Sequence, residues 1–213
     1  MNKCFDLHQQ ADTVSSAERL VSKLKERGLT CATAESCTGG CVGGAITAVP
    51  GSSAVFLGGV ISYANEVKRD VLGVPQEILD THGAVSSECA ERMAAGARTL
   101  LKSDLAVSLT GIAGPDGGSA EKPVGLVWFG LATPEGVRTE NMIFSGDRAA
   151  VRSQAVNHAL ELLMNWTAAS GVGTTGHPVA RRRSAVWCPQ STRMTSAPMA
   201  APTSASWSVS PIK

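Results

Sequence analysis

No stretch of the 213-residue chain approaches the roughly 18 uninterrupted apolar residues of a membrane-spanning helix. The opening MNKCFDLHQQADT has neither a basic n-region nor an apolar h-region. These two absences predict a cytoplasmic protein with no membrane partner. The six cysteines, at 4, 31, 37, 41, 89 and 188, include no CxxC pair and no dense framework, which predicts reduced thiols rather than disulfides. No Walker A pattern occurs, and residues 1–167 hold no GxGxxG pattern, so the marks of nucleoside-triphosphate and dinucleotide folds are missing from that part of the chain. A GxSxG nucleophile elbow is missing too. Cys37 and Cys41 stand four apart, but no second pair or nearby histidine completes a metal site, and no cofactor is expected.

Acidic residues are absent from one part of the chain. Residues 168–213 hold Arg181, Arg182, Arg183, Arg193 and Lys213 and no Asp or Glu. That leaves 14 of the 19 basic residues and all 18 acidic ones in residues 1–167, a net charge near −4. A mildly acidic body argues against a nucleic-acid partner, since phosphate contacts want a basic face. The final segment is rich in Ser, Thr, Ala and Pro and lacks periodicity, and it is predicted to be a disordered tail. Its arginine run is that of a solvated tail, with an acidic partner as the alternative. With 43% hydrophobic and 17% charged residues the whole chain has a globular composition, and positions 1–167 suit one domain with a real core.

Hydrophobic spacing organises that domain. Val14, Ala17, Val21 and Leu24 recur at helical intervals between Asp12 and Gly28. A short strand is expected over 29–34 and a closely packed helix through Ala48, ended by Pro50-Gly51. Positions 54–63 predict a strand that bends or bulges at Gly58-Gly59. Short helices are expected over 65–72 and 75–81. Ser86 is placed to cap a longer helix with Ala90, Met93, Ala94, Ala97 and Leu101 inward. A strand over 105–110 runs into the glycine-rich GIAGPDGG, and 124–133 with 137–144 predict a hairpin. A last helix over 147–166 should bury Val151, Ala155, Ala159, Leu162, Leu163 and Trp166. The expected fold class is α/β: a three-layer α/β/α sandwich with a mixed sheet.

In such sheets, ligands gather where strands run into helix N-termini. Two loops meet that condition, AESCTGG at 34–40 and TGIAGPDGG at 110–118. A serine at the first is placed to be a nucleophile, though position alone favours a helix N-cap. The helix start beyond it offers N–H groups for an oxyanion. Its base is not obvious. His8, His158 and His177 fall in the N-terminal segment, the last helix and the tail, leaving His82 as the loop histidine. Ser22 to Lys25 matches SxxK on the wet face of the first helix, by chance. Lys68, in ISYANEVKRDVLGV near the chain's one tyrosine, Tyr63, is a base only if burial or positive charge lowers its pKa; by residue type alone it is a solvated helix lysine. Cys37 is a second possible nucleophile or a core thiol.

The series AESCTGG, TAVPGSS, GGVISYANEVKRDVLGV, HGAVSSECAERMAAGA, SLTGIAGPDGG, KPVGLVWFG and FSGDRAAVR resembles, in order and spacing, the CinA C-terminal-domain family of nicotinamide-nucleotide amidohydrolases (NMN deamidases). The resemblance covers residues 10–167. It implies hydrolysis of the carboxamide of nicotinamide mononucleotide to nicotinic acid mononucleotide and ammonia, in pyridine-nucleotide recycling. It further implies Ser36 as nucleophile, Lys68 as general base and Tyr63 as its companion, with no metal. The substrate phosphate calls for N–H groups and a guanidinium, for which Thr38, Gly39, Gly40, Thr110, Gly111 and Arg148 are the candidates. Arg148 is otherwise a surface residue at a helix start. The family's habits also imply a homo-oligomer. The alternative is a non-catalytic ligand-binding module of the same fold, associated with competence or DNA damage.

Overall fold

The computed structural model describes residues 11–169. The expected tail therefore lies outside the described residues, apart from Ala168 and Ala169, and so do Cys4, His8, His177 and Cys188. Helix α1 (Ala11–Arg27) buries Ala17, Leu20, Val21 and Leu24, while Val14 is half-buried. Asp12 in its first turn and Lys25 and Arg27 in its last complement the helix dipole. Gly28 closes the helix at φ 63°, and Leu29 N–H donates to Leu24 O at 3.0 Å.

Strand β1 (Cys31–Glu35) follows, then α2 (Cys41–Thr47), a 3-10 turn over Ser52–Ala54, and β2 (Phe56–Ile61). Helices α3 (Asn65–Asp70), α4 (Gln76–Thr81) and α5 (Ser87–Leu101) precede β3 (Leu105–Gly111). Strands β4 (Leu126–Thr133) and β5 (Gly136–Ile143) form the expected hairpin, and α6 spans Arg148–Ala169. Ser86 caps α5 as its residue type predicts, its Oγ accepting from Cys89 N–H at 3.2 Å, a contact worth about 1 kcal/mol.

The sheet order is β2-β1-β3-β4-β5. β1 lies parallel to both β2 and β3, and the two later pairings are antiparallel, so the sheet is mixed as expected. Every residue of β1 is buried, as a central strand covered on both faces requires. One face packs Cys31, Val107 and Phe129 against α1, α2 and α6; the other packs Ala32, Ala34 and Ala106 against Met93, Ala94 and Ala97 of α5. Three layers result. On α6, Val151, Ala155, Ala159 and Leu163 are buried, whereas Leu162 and Trp166 are half-buried at the rim.

The irregularity expected at Gly58-Gly59 falls one residue earlier: Cys31 pairs with Phe56 and Ala32 with Gly58, which leaves Leu57 extra, and Gly58 has φ 134°. Gly59 is needed for space, since a Cβ there would lie 2.1 Å from Thr33 Oγ1. Among the described residues no helix is long and apolar enough to cross a membrane.

Candidate active site

The carboxyl end of β1 delivers Glu35 and Ser36 to the sheet edge where β2 and β3 also end. Ser36 N–H donates to Leu109 O at 3.0 Å, which ties the turn to β3. The chain then reverses through Gly39 (φ 62°) and Gly40 (φ 94°), a left-handed pair that side-chain-bearing residues rarely adopt. Ser36 is not an N-cap in this turn: α2 starts at Cys41, its cap position is Gly40, and no side chain caps it there.

Lys68 departs from its residue type. It lies on α3, a helix of six residues, yet is only 1% exposed. Its Nζ stands 3.1 Å from Ser36 Oγ, 2.6 Å from Ser62 O and 3.4 Å from Tyr63 O. Burial lowers its pKa from the ordinary lysine value, against smaller opposing effects of the Cys89 and Cys37 thiols. A neutral lysine amine has two N–H bonds and one lone pair. As placed, Nζ is within donor reach of Ser36 Oγ and of both carbonyls; in the neutral form, with two N–H groups kept on the carbonyls of Ser62 and Tyr63, its lone pair would be left for the Ser36 hydroxyl. That is the arrangement a general base needs.

A cavity of about 220 Å³ opens on this pair. Ser36, Tyr63, Lys68, Thr110, Gly111 and Arg148, all singled out from the sequence, line it together with Cys37, Asn65 and Ala113. Tyr63 contributes its carbonyl to Lys68, while the residue as a whole is 63% exposed and its hydroxyl lies 3.3 Å from Arg148 Nη2. Thr110 is buried and donates to Ala84 O at 2.6 Å, which anchors the cavity wall. Arg148 also donates to Gly114 O at 3.0 Å. It borders a second, larger cleft of about 610 Å³ that Gly146, Asp147 and Arg152 share.

Thr38, Gly39 and Gly40 are outside the cavity lining. Thr38 is fully buried and gives its hydroxyl to Glu35 Oε2 at 2.8 Å. The amides of Gly40, Val42 and Gly43 also donate to the Glu35 carboxylate, at 3.0, 3.0 and 2.8 Å. The helix start that the sequence offers to an oxyanion is thus occupied by the protein's own anion. Two residues escaped sequence reasoning. One is Glu35, which precedes Ser36 and carried no spacing signal. The other is Arg152, whose Nη2 donates to Thr38 O at 2.8 Å and lies 3.1 Å from Cys41 Sγ; its place in FSGDRAAVR, one turn after Arg148, was the available sign.

Cys37 is buried beside Ser36, and burial pushes its thiol up to about 11, leaving little thiolate at neutral pH. His82 ends α4, half-exposed, with Nδ1 3.6 Å from Glu88 and outside the cavity lining. Lys25, the lysine of the SxxK match, is exposed on α1.

Residues 13–167 match the CinA C-terminal domain family. The chain is 51% identical over 154 residues to a nicotinamide-nucleotide amidohydrolase, PncC, of Escherichia coli, covering 72% of this chain and 93% of that one. It is 52% identical over 149 residues to a CinA-like protein of Citrifermentans bemidjiense, covering 70% of this chain. It spans only 36% of that longer relative, and 38% of another from Caldanaerobacter subterraneus. Among solved structures, the competence/damage inducible protein CihA of Agrobacterium tumefaciens superposes with a TM-score of 0.72 at 45% identity, covering 73% of this chain and 96% of that one. A CinA superfamily protein of Klebsiella pneumoniae gives 0.71 at 39% identity, covering 73% and 98%.

Proposed function

The chain belongs to the CinA C-terminal domain family, and from that premise we propose that it hydrolyses the carboxamide of nicotinamide mononucleotide to nicotinic acid mononucleotide and ammonia. The observation that carries this reading is the buried amine of Lys68 at 3.1 Å from Ser36 Oγ. The relative named nicotinamide-nucleotide amidohydrolase, of which this chain spans 93%, supplies the substrate.

In this scheme Lys68 takes the Ser36 proton as Oγ attacks the amide carbon. The tetrahedral oxyanion needs donors other than the amides held by Glu35. That of Cys37, next after Ser36 and part of the cavity lining, is the backbone candidate. The intermediate expels ammonia, with the Lys68 ammonium returning the proton to the leaving nitrogen, and leaves an ester on Ser36. Water, deprotonated by the again neutral Lys68, cleaves that ester, releases the acid and restores the serine.

The pyridine ring and amide enter the 220 Å³ cavity, and the ribose phosphate extends past Arg148 into the 610 Å³ cleft. Arg148 serves as the phosphate guanidinium there. The catalytic role is assigned to the stretch that the family matches, residues 13–167. The reading puts the enzyme in cytoplasmic pyridine-nucleotide recycling. Edge strands β2 and β5 expose Leu57, Ile61, Met142 and Ile143, which supports self-association into a homo-oligomer.

The test is to follow both products, ammonia and nicotinic acid mononucleotide, from nicotinamide mononucleotide with chelator present. Equimolar appearance is expected. Binding of the nucleotide with no turnover would instead favour the non-catalytic module.

A further inference from the structure

Glu35 is a carboxylate only 1% exposed at the end of a central strand, and among the described residues no cationic side chain pairs with it. Four donors converge on it instead. Oε2 accepts from Thr38 Oγ1, Gly40 N–H and Val42 N–H, and Oε1 accepts from Gly43 N–H, all within 2.8 to 3.0 Å. Helix α2 has no side-chain cap at its own first position, so Glu35 holds its start from five residues upstream.

The placement of this carboxylate matters for the chemistry. Alternation along β1 puts Cys31, Thr33 and Glu35 on the face of α2 and α6, and Ala34 on the face of α5. Glu35 therefore anchors the reversal behind the sheet, while Ser36 reaches Lys68. Its main chain makes a second link. Glu35 O accepts from Ser62 N–H at 2.7 Å, and Ser62 O receives Lys68 Nζ at 2.6 Å. One residue thus fixes the turn that carries the nucleophile and the strand end that holds the base.

We infer that Glu35 is the positioning residue of the Ser36–Lys68 pair. The inference rests on the proposed amidohydrolase reading. A carboxylate suits the role because all four neighbours donate and it has no proton to give. In a glutamine at this position, one orientation keeps three of the four bonds and turns its NH₂ against the Gly43 amide, so the anchor is loosened rather than removed. A displacement of the nucleophile by a fraction of an ångström acts on the chemical step and leaves substrate contacts in place.

The experiment compares wild type, Glu35→Gln and Glu35→Ala for kcat and KM on nicotinamide mononucleotide, beside thermal melting of each. The expected result is a kcat lowered by about 10- to 100-fold in Glu35→Gln with KM within about threefold of wild type and a cooperative melt retained. Glu35→Ala, if it folds, should fall further. A folded Glu35→Gln with wild-type kcat, or with its loss confined to KM, would overturn the inference. Labelling of Ser36 by phenylmethanesulfonyl fluoride, read by mass spectrometry, separates this result from failure of the substrate assignment. If wild type is labelled but does not turn over the nucleotide, the substrate is wrong. Glu35 is then judged by the labelling rate alone, slower in Glu35→Gln if it positions Ser36 and unchanged if it does not.

Discussion

Lys68 Nζ lies 3.1 Å from Ser36 Oγ across 32 residues of sequence, with the amine removed from solvent. A buried lysine is rare because water solvates an ammonium so well. Here the Ser62 and Tyr63 carbonyls satisfy its N–H groups. Lys68→Met keeps the shape of the stem and removes the proposed base. The expected loss in kcat is about 10²- to 10⁴-fold, with nucleotide binding retained by equilibrium titration.

The pH dependence follows from the direction of the Lys68 shift. Burial lowers its pKa, so the active neutral amine forms below the ordinary lysine value of about 10.4. kcat/KM should rise with pH through that lowered pKa and then level off. Stability carries the same sign. Between the folded and unfolded pKa values the unfolded chain binds more protons at this site, so stability rises with pH across that window and the penalty for burying the amine is full below it. Lys68→Met should flatten this part of a melting-temperature profile, and an unchanged profile would remove Lys68 as its source.

Cys37 adjoins the proposed nucleophile and lines the same cavity, but burial raises its thiol to about 11. Cys37→Ala should retain activity within about threefold, and iodoacetamide at pH 7 should leave the wild type active. Loss of activity in Cys37→Ala with its fold intact would transfer the nucleophile's role to the thiol.

Arg148 stands between the two cavities, bonded to Gly114 O and near the Tyr63 hydroxyl. Arg148→Ala should raise KM for nicotinamide mononucleotide by about 10- to 100-fold, the range for losing a charged hydrogen bond. Nicotinamide riboside, which lacks the phosphate, should be affected far less. Equal effects on both would assign Arg148 to the cavity wall instead.

Much of the fold was legible because its signals are local. The spacing of Ala17, Val21 and Leu24 marks α1, Ser86 caps α5, and the turn at Pro134-Glu135 joins β4 to β5. Ser36 was legible as a strand-to-helix position. The burial of Lys68 was not, because a six-residue helix is too short for periodicity to show which face is inward. Its environment comes from Ser62, at the end of β2, and from Cys89 on α5. Glu35 was hidden for a related reason. The donors it gathers, on Thr38, Gly40, Val42 and Gly43, converge only once Gly39 and Gly40 take positive φ. Thr38 and Gly40 were accordingly assigned to substrate, while the structure turns their donors toward Glu35.

The measurement that tests the account most directly is ammonia release from nicotinamide mononucleotide by Ser36→Ala beside the wild type, with chelator present and the fold checked by circular dichroism. The account predicts steady release by the wild type and none above background by the variant. A folded Ser36→Ala that releases ammonia at the wild-type rate would contradict it.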